Sequence, residues 1–464
     1  MTKKSSKFYE TDLPLLTQAG AFAMWKAWRK AGMENIVATY DLTVREMSSK
    51  RKFLIFSGLE EVLSDLTHWV YSKEDIAALK KHRLIDKHMA ERLKKFKFLS
   101  DIFALREGTP FFPGETVMRF TGPLWQLELF YAYLVNAVSS NTTFSSKNIR
   151  VVLAAQGKPV ILPVTRSQGF ESSLKCMRGL YMVGGNPSSS QLFFWKKYGL
   201  EAPKKVLNAL THAFIKSFPS EIEAMRAFIS EFPNDEAVVL VDTYDFEKGV
   251  DNLIIVSEEM RKSGGKVAML YIDSGDLIKR TKYARSRLDS KGFKDIKILL
   301  SGNLDEQEIS KIIQKKTPCD GFLLITELVT SPDAPKLEVV YKLAELQDGT
   351  KIRPVMKLAK NKRSFPGKKQ VFRIYDKDGF MVKDVIGLDG EAMSGEPLLI
   401  EMLRHGKLVK PLPELSDIRK YCLLEIEKLP AYLKKIDEKD GKQYPVEYSK
   451  KILELAAKTE AEMH

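Results

Sequence analysis

Cysteine is scarce in this sequence. Among 464 residues there are three, Cys176, Cys319 and Cys422, which lie far apart and are odd in number. They form no CxxC pair and no Cys/His spacing of a zinc site, so neither a disulfide framework nor structural zinc is supported. Few, widely spaced cysteines are typical of a reducing compartment, and we expect the protein to be cytoplasmic.

Long apolar runs are also missing. The N-terminal stretch MTKKSSKFYETDLPLL has no apolar core of a signal peptide. The most apolar long segment, LWQLELFYAYLVNAV, has about 15 residues and carries Gln126 and Glu128, which is too short and too polar for a membrane helix. Short-period repeats and low-complexity segments are absent too. We therefore expect neither export nor a membrane span.

The composition is that of a large globular protein. At 464 residues and 44% hydrophobic content, two domains are predicted. The 74 basic residues exceed the 60 acidic ones, and the net charge of +14 favours acidic partners such as phosphorylated metabolites, nucleic acid or an anionic membrane. Because no aromatic side chains are interleaved with the basic cluster described below at the spacing of a binding sheet, nucleic acid is an unlikely partner.

Four apolar runs between Glu236 and Pro335 organise the sequence. Each run is short, rich in Val, Ile and Leu, and stops at a polar turn: AVVLVDTYD, VAMLYIDSGDL, IKILLSGNLDE and GFLLITELVTSPDAP. Nearly continuous hydrophobicity is typical of strands covered on both faces. Helical patterns separate the runs, at roughly 30 residues per unit. The pattern predicts an α/β fold with parallel strands, closed into a barrel or open as a doubly wound sheet.

The carboxyl ends of parallel strands meet at one edge of such a sheet, where α/β folds place their chemistry. The pocket predicted there collects Asp242, Thr243, Asp245, Asp273, Ser274, Asp276, Ser301, Asn303 and Thr326.

Two further segments flank this region. Residues 1–122 predict an α+β segment that begins with a helix over residues 11–33. Residues 123–335 hold the barrel, with a helix over 124–138, strands at NIRVVLAA and KPVILPV, and a helix over 171–183. Residues 336–464 predict antiparallel strands and terminal helices, of which the last is lightly held.

Carboxylate pairs follow two of the strands. Asp242 with Asp245, and Asp273 with Asp276, can hold Mg²⁺ or accept the hydroxyls of a ribose. A single pair is better explained as helix N-caps and turn residues, but two pairs on neighbouring strand ends favour a site. The Ser274–Gly275 dipeptide adds backbone N–H groups at a helix start, the geometry that receives phosphate.

His212 differs in context from the other five histidines. It lies in NALTHAFIKSF, ahead of the strand that ends at Asp242. A nucleophilic or acid/base role and an ordinary buried imidazole fit this position equally well. The basic stretch KLAKNKRSFPGKKQ, from Lys357 to Lys369, can close over a polyphosphate, bind RNA or remain a solvated loop.

Several of these motifs, in this order, resemble the nicotinate phosphoribosyltransferase family: TDLPLLT, VDTYD, DSGDL, TELVTSPDAP, VYKL, RPVMKLA and PGKKQVFR. The resemblance covers nearly the whole chain. It implies an irregular, TIM-like α/β barrel, a second α+β domain built from the N-terminal and C-terminal segments, and a homodimer. It also implies transfer of phosphoribosyl from phosphoribosyl pyrophosphate to nicotinate in NAD biosynthesis and salvage, with Mg²⁺ and with ATP as a coupling substrate through a transient phosphohistidine.

The resemblance assigns roles to individual residues. The candidate catalytic residues are His212, as the phosphorylated histidine, with Asp242 and Asp273, and the candidate Mg²⁺ ligands are Asp273 and Asp276. The candidate substrate-binding residues are Thr165, Arg166, Asp245, Tyr271, Ser274, Gly275, Asp276, Ser301, Asn303 and Thr326.

Some ligand positions depart from the family's pattern. Pro14 stands where the family has a tyrosine, Thr165 where it has the first of two adjacent arginines, and Tyr271 where it has an arginine. Ser301–Asn303 replaces the family's SND, and Leu323–Ile325 occupies a turn that the family flanks with glycine, which allows close approach of a phosphate.

Three functions follow from these observations. The first is a working nicotinate phosphoribosyltransferase with atypical contacts, favoured by the histidine and the four aspartates. The second is a phosphoribosyltransferase for another base, favoured by Pro14, Thr165 and Tyr271. The third is a catalytically silent family member used for binding or assembly, favoured by Leu323 and Ile325 and by the net positive charge.

Overall fold

The computed structural model describes residues 13–164, 166–204, 208–232, 237–359, 362–436 and 442–463, which form two compact units. The first unit comprises the described residues up to Ser146, with Asp333–Leu433 and 442–463. The second comprises the described part of Lys147–Pro332 with residues 434–436.

The first part of the chain mixes helices and strands. In order they are a 3-10 helix (Leu13–Leu16), α1 (Ala19–Lys30), β1 (Val37–Val44), β2 (Leu54–Ile55), α2 (Leu59–His68), α3 (Lys73–Lys81), α4 (Lys87–Lys94), β3 (Asp101–Ala104), β4 (Pro110–Phe111), β5 (Thr116–Pro123), α5 (Leu124–Leu129) and α6 (Tyr131–Ala154).

Strand and helix then alternate. The elements are β6 (Val160–Leu162), α7 (Gly169–Met182), β7 (Asn186–Pro187), α8 (Leu192–Lys197), β8 (Asn208–Ala209), α9 (His212–Lys216), α10 (Glu221–Glu231), β9 (Ala237–Leu240), α11 (Phe246–Lys262), β10 (Met269–Ile272), α12 (Leu277–Ser290), β11 (Lys297–Leu300), α13 (Glu306–Gln314), β12 (Gly321–Leu323) and α14 (Thr326–Thr330).

Strands dominate the last part. The elements are β13 (Val339–Asp348), β14 (Lys351–Pro354), β15 (Lys369–Tyr375), β16 (Met381–Leu388), β17 (Glu396–Pro397), β18 (Ile400–Arg404), β19 (Lys407–Leu408), α15 (Leu415–Glu427), α16 (Ala431–Lys434), β20 (Val446–Tyr448) and α17 (Lys450–Ala461).

A parallel sheet forms the second unit. Its seven strands lie in the order β7-β6-β12-β11-β10-β9-β8, and every pairing is parallel, which confirms the predicted α/β class. All four residues of β9 are at most 3% exposed, as expected of a strand covered on both faces. In the described part of the chain β7 and β8 are the edges, so the predicted barrel is a half-barrel.

One predicted strand is wrong. The run NIRVVLAA, except its last residue Ala155, lies within α6, whose residues 141–150 are all buried. Asn148 is satisfied there because its amide donates to the Cys176 carbonyl at 3.0 Å. A short apolar run with β-branched residues has the same pattern in a buried helix as in a buried strand, which is why the sequence misleads at this point.

The first unit combines strands from both ends of the chain. Its seven-stranded sheet has the order β14-β13-β1-β5-β3-β18-β19, with antiparallel pairing throughout, so C-terminal strands flank N-terminal ones on both sides. This confirms the second α+β domain built from the two terminal segments. Helices α1 and α5 meet through stacked Trp25 and Trp125 rings, whose centroids are 4.1 Å apart.

A smaller sheet of the same unit has the order β17-β15-β16-β20. The predicted antiparallel runs pair as expected, β13 with β14 and β15 with β16, whereas β20, in the tail predicted as helix, pairs with β16 in parallel. The last helix, α17, is not lightly held as predicted, because Ile452 and Ala456 on its inner face are fully buried.

Candidate active site

His212 lies at the start of α9, at the carboxyl-end edge of the parallel sheet. The Thr211 hydroxyl caps this helix by accepting a hydrogen bond from the Phe214 N–H. The imidazole Nδ1 is 3.1 Å from the Thr243 hydroxyl, and Nε2 is 3.7 Å from a carboxylate oxygen of Asp273. The ring therefore lies between the residues that follow β9 and β10, with 43% of its side chain exposed.

Asp242 follows β9, and its side chain is only 1% exposed. Its Oδ2 accepts hydrogen bonds from the Ser274 hydroxyl at 2.6 Å and from the Asp273 N–H at 3.3 Å. Its Oδ1 is buried and has no hydrogen-bond partner among the described residues. A buried acceptor of this kind is costly unless a ligand, an ion or water satisfies it.

Asp273 follows β10 and lies beside Asp242. Burial, and next the Asp242 carboxylate, raise the pKa of Asp273, while His212 acts in the opposite direction. Two adjacent carboxylates share a site at a cost when both are ionised, which adds to the effect of burial on the pKa of Asp273. One ligand atom from each of His212, Asp242 and Asp273 lies within 4.8 Å of the others. The structure thus brings together the three predicted catalytic residues.

The other two aspartates cap helices. Asp245 accepts a hydrogen bond from the Lys248 N–H at the start of α11, and Asp276 accepts one from the Lys279 N–H at the start of α12. The bond from the Lys279 N–H is the main reason that the pKa of Asp276 is lowered. Both carboxylates therefore have the N-cap role that sequence reasoning left open, and neither belongs to the group around His212.

The turn after β11, residues 301–303, packs against the backbone of Asp273. The Ser301 N–H donates to the Ile272 carbonyl, and Asn303 has a positive φ of 36°. A Cβ on Gly302 would lie 2.1 Å from the Asp273 carbonyl oxygen. Glycine is therefore required in this Ser-Gly-Asn turn by the close approach of the Asp273 backbone.

The remaining substrate-binding candidates lie at this edge in varied settings. The Tyr271 hydroxyl donates to the Leu210 carbonyl at 2.9 Å, and burial raises the pKa of this phenol. Thr326 is exposed at the first position of α14, after Ile325 with φ −126°. This φ lies outside the left-handed region that favours glycine.

Two further candidates and one departure from the family pattern remain. Arg166 is exposed in the segment between β6 and α7, and Thr165 lies outside the described residues. Pro14 is buried in the 3-10 helix of the first unit.

Sequence reasoning missed Arg280. Its Nη1 donates to the Ser274 carbonyl and hydroxyl at 2.9 and 2.8 Å and is 3.7 Å from Asp242 Oδ2. A signal was present, because side chains on a helix point toward its N-terminus, so a long side chain one turn after Asp276 reaches the preceding loop.

A basic groove of about 440 Å³ lies on the first unit. Four cations line it, namely Arg45, Lys342, Lys357 and Lys362, together with Tyr131 and Tyr341. Burial, and next the neighbouring cations, lower the pKa of Lys342. The predicted lysine cluster is divided, since Lys369 forms a buried ion pair with Asp41 at 2.6 Å. Arg45 and Lys342 come from other strands and could not be associated with the cluster from sequence.

Within the described ranges, every helix is too short or too polar to cross a membrane.

Comparison with known proteins gives consistent matches along the chain. Residues 15–139 match the nicotinate phosphoribosyltransferase (NAPRTase) N-terminal domain, and residues 391–456 match the nicotinate phosphoribosyltransferase C-terminal domain. Nicotinate phosphoribosyltransferase pncB2 of Mycobacterium tuberculosis is 31% identical over 451 residues, which cover 96% of this chain and 92% of that protein. Nicotinate phosphoribosyltransferase of Bacillus subtilis is 26% identical, and the match covers 95% of this chain and 94% of that protein.

Solved structures share the fold. Human nicotinic acid phosphoribosyltransferase superposes with a TM-score of 0.81 at 22% identity, over 95% of this chain and 99% of that chain. Nicotinate-nucleotide pyrophosphorylase from Pyrococcus furiosus gives a TM-score of 0.72 at 20% identity, over 92% of this chain and 99% of that chain. Because the Mycobacterium tuberculosis relative is similar over almost its whole length, this chain belongs to the nicotinate phosphoribosyltransferase family.

Proposed function

We propose that the protein is a nicotinate phosphoribosyltransferase, which transfers phosphoribosyl from phosphoribosyl pyrophosphate to nicotinate in NAD biosynthesis and salvage. The observation that carries the proposal is the group formed by His212, Asp242 and Asp273 at the strand ends of a member of this family. The names of the relatives support the same reaction.

The reaction forms a bond between the ring nitrogen of nicotinate and C1 of the ribose while the bond from C1 to the pyrophosphate oxygen breaks. Positive charge develops on the ribose in the transition state. The Asp242 carboxylate is held in place by Ser274 and by the Asp273 N–H, so it stabilises this charge without reorganising at the moment of reaction.

The residues present fit Mg²⁺, which prefers carboxylate oxygens together with water and substrate phosphates. Asp242 offers its buried Oδ1, unpartnered among the described residues, and Asp273 offers the adjacent carboxylate. We therefore assign the ion to Asp242 and Asp273, since the predicted ligand Asp276 already caps α12. When bound, Mg²⁺ would neutralise charge on the departing pyrophosphate.

ATP coupling would act through His212. Its Nδ1 contacts Thr243, which leaves the exposed Nε2 to attack the γ-phosphorus of ATP as the bond to the β-phosphate oxygen breaks and ADP departs. Asp273, 3.7 Å from Nε2, would first take the proton of this nitrogen when the imidazole is charged, which leaves Nε2 with the lone pair that attacks.

The basic groove of the first unit is suited to a polyanion. Four cations and two tyrosine rings line it. None of the described residues that line it is acidic, and Glu338 pairs with Arg45 at 3.3 Å from outside the lining. Such a surface raises the local concentration of phosphorylated ligands.

A different base is the second candidate function. Tyr271 supports it, because a phenol bonded to the Leu210 carbonyl offers no positive charge to a carboxylate on the base. Competition among pyridine and purine bases for phosphoribosyl pyrophosphate distinguishes the two candidates, and the first fails if another base outcompetes nicotinate.

We also propose a cytoplasmic homodimer. Phe170, Leu192 and Phe193 on the second unit are exposed apolar side chains that association of two chains could cover. Light scattering in solution tests this, and a mass of one chain at micromolar concentration would refute it.

The central test is an assay with nicotinate, phosphoribosyl pyrophosphate, ATP and Mg²⁺. We expect equal amounts of nicotinate mononucleotide and pyrophosphate. His212→Ala should retain transfer but lose the stimulation by ATP, whereas His82→Ala, an exposed histidine of the first unit, should behave as the wild type. Absence of nicotinate mononucleotide at high enzyme concentration would overturn the proposal.

A further inference from the structure

Arg280 places a guanidinium group on the loop that joins β10 to α12. Its Nη1 donates to both oxygens of Ser274 and lies 3.7 Å from the Asp242 carboxylate. The guanidinium carbon is 4.8 Å from the centroid of the Phe246 ring. The group is thus held at the ends of two neighbouring strands, β9 and β10.

The loop is shaped to receive this group. Gly275 has a φ of 72°, and a Cβ there would lie 2.6 Å from both Cζ and Nε of Arg280. A residue larger than glycine would displace the guanidinium from the loop. The position of the Arg280 guanidinium therefore depends on a glycine at position 275.

Helix electrostatics disfavour a cation at this position. Arg280 is the fourth residue of α12, close to the positive end of the helix dipole, where anions are favoured and cations are not. Nearby Asp242 offsets part of this repulsion. A cation held against the dipole adds to its positive potential, and both attract an anionic group on a ligand.

Part of the guanidinium is unused. The side chain is 30% exposed, and in the described ranges its Nε and Nη2 donate to no protein acceptor. The Asp242 carboxylate and the Phe246 ring lie beside it, and neither brings a positive charge. Arginine binds carboxylates and phosphates through two parallel N–H groups, which fits the free edge of Arg280.

We propose that Arg280 is a specificity-determining residue that binds an oxyanion of the substrate through its free guanidinium edge. This inference rests on the proposed function for its ligands. The oxyanion is either the carboxylate of the base or a phosphate of the phosphoribosyl donor. The two sources share the same chemistry and are separated by experiment.

The test compares Arg280→Gln and Arg280→Lys with Arg287→Gln. Arg287 lies on the same helix and pairs with Asp251, away from the loop. Its replacement by glutamine removes the same positive charge as Arg280→Gln does. Calorimetry on the ligand-free proteins uses three probes: nicotinate, its uncharged analogue nicotinamide, and inorganic pyrophosphate. Steady-state kinetics and thermal melting accompany the titrations.

We expect Arg280→Gln to lower the affinity for one of the two anions at least tenfold, while nicotinamide binds as before. Loss of nicotinate affinity alone identifies the carboxylate, and loss of pyrophosphate affinity alone identifies a phosphate. Arg280→Lys should recover part of the affinity, since it keeps the charge but not the two parallel donors. The KM of the affected substrate should rise more than kcat falls, and Arg287→Gln should bind as the wild type.

Unchanged affinity for both anions in the glutamine and lysine variants would overturn the proposal, and a lower melting temperature with unchanged affinity would give Arg280 a purely structural role. Wild-type protein that makes no nicotinate mononucleotide, yet loses pyrophosphate affinity on Arg280→Gln, would refute the proposed function and leave this inference standing. Wild-type protein that binds neither anion would refute both.

Discussion

Asp242 and Asp273 lie in different environments although they follow neighbouring strands. Asp242 accepts two hydrogen bonds, whereas burial and the charge of Asp242 raise the pKa of Asp273. Adjacent carboxyl groups that lie in different surroundings are suited to separate tasks. We assign charge stabilisation to Asp242 and proton exchange with His212 to Asp273.

Asp242→Asn should reduce kcat/KM by roughly 10²–10³, the cost of removing one preorganised electrostatic group. The amide removes the negative charge at the ribose while it preserves the shape of the side chain. Assays of transfer, with circular dichroism to verify folding, measure the effect. Asp251→Asn is the matched control, because Asp251 forms an ion pair with Arg287 and lies outside the site. Wild-type kcat/KM in the Asp242 variant would contradict the assignment.

The three cysteines should be inert in the folded protein. Burial raises the pKa of the Cys176 thiol to about 12 and also raises the pKa of Cys319 and Cys422, so the reactive thiolate is scarce at pH 8. A thiol reagent should label none of them within minutes under native conditions and all three in denaturant. Rapid native labelling of Cys176 would show that its surroundings open.

The elements of the half-barrel repeat one local device. β9, β10 and β11 each end in a polar turn, and Asp245, Asp276 and Asp305 then cap α11, α12 and α13. Each cap satisfies backbone N–H groups that would otherwise lack partners at the start of the helix. The same edge of the sheet thus begins three helices and collects the catalytic side chains.

Asp276 should therefore be replaceable by another capping residue. We expect Asp276→Ser to keep the urea midpoint of the wild type and Asp276→Ala to lower it, because serine accepts the Lys279 N–H and alanine does not. Transfer activity should follow the same order. If the serine variant is stable but loses activity, Asp276 acts on the substrate or metal as first predicted from the sequence.

Gly302→Ala tests how tightly the turn after β11 supports Asp273. Its Cβ would lie 2.1 Å from the Asp273 carbonyl oxygen, so we expect a loss of roughly 1–3 kcal/mol in unfolding free energy together with lower activity. Gly264→Ala is a matched control, since Gly264 has nearly the same φ, 83° against 82°, and nothing within 4 Å. Equal effects of the two substitutions would show that the backbone conformation, and not the contact, matters at Gly302.

The strands of the half-barrel were predictable because their apolar runs are short, bounded by turns and buried on both faces. The end of α6 was not, since its buried small polar residues and the run NIRVVLAA lack helical periodicity. Which aspartates would act and which would cap could not be predicted either, because Asp serves both roles in the same loop. Only the structure separates Asp242 and Asp273 from Asp245 and Asp276.

On the scale of the whole molecule, distant segments of the first unit meet in one buried charged cluster. Arg373 of β15 pairs with Asp384 of β16, and the Tyr444 hydroxyl donates to the same carboxylate at 3.0 Å. Glu115, just before β5, is fully buried, and neither of its carboxyl oxygens has a hydrogen-bond partner in the described part of the chain. Two carboxyl groups therefore compete for one arginine.

Glu115 should make the stability of the protein depend on pH. Burial, and next the Asp384 carboxylate, raise its pKa well above the usual range, against the influence of Arg373. The folded protein then keeps a proton that the unfolded chain releases at about pH 4.3. From there up to the raised pKa, stability falls as pH rises, by at most about 1.4 kcal/mol per pH unit.

Glu115→Gln should remove this dependence, because glutamine resembles the protonated carboxyl group and does not titrate. Melting temperatures measured from pH 5 to pH 8 should show the variant gaining on the wild type as pH rises. Glu447→Gln, at an exposed ion pair with Lys383, controls for the loss of one acidic residue. If the melting temperatures of the wild type and the Glu115 variant change with pH in the same way, Glu115 is ionised in the folded protein and Arg373 balances both carboxylates.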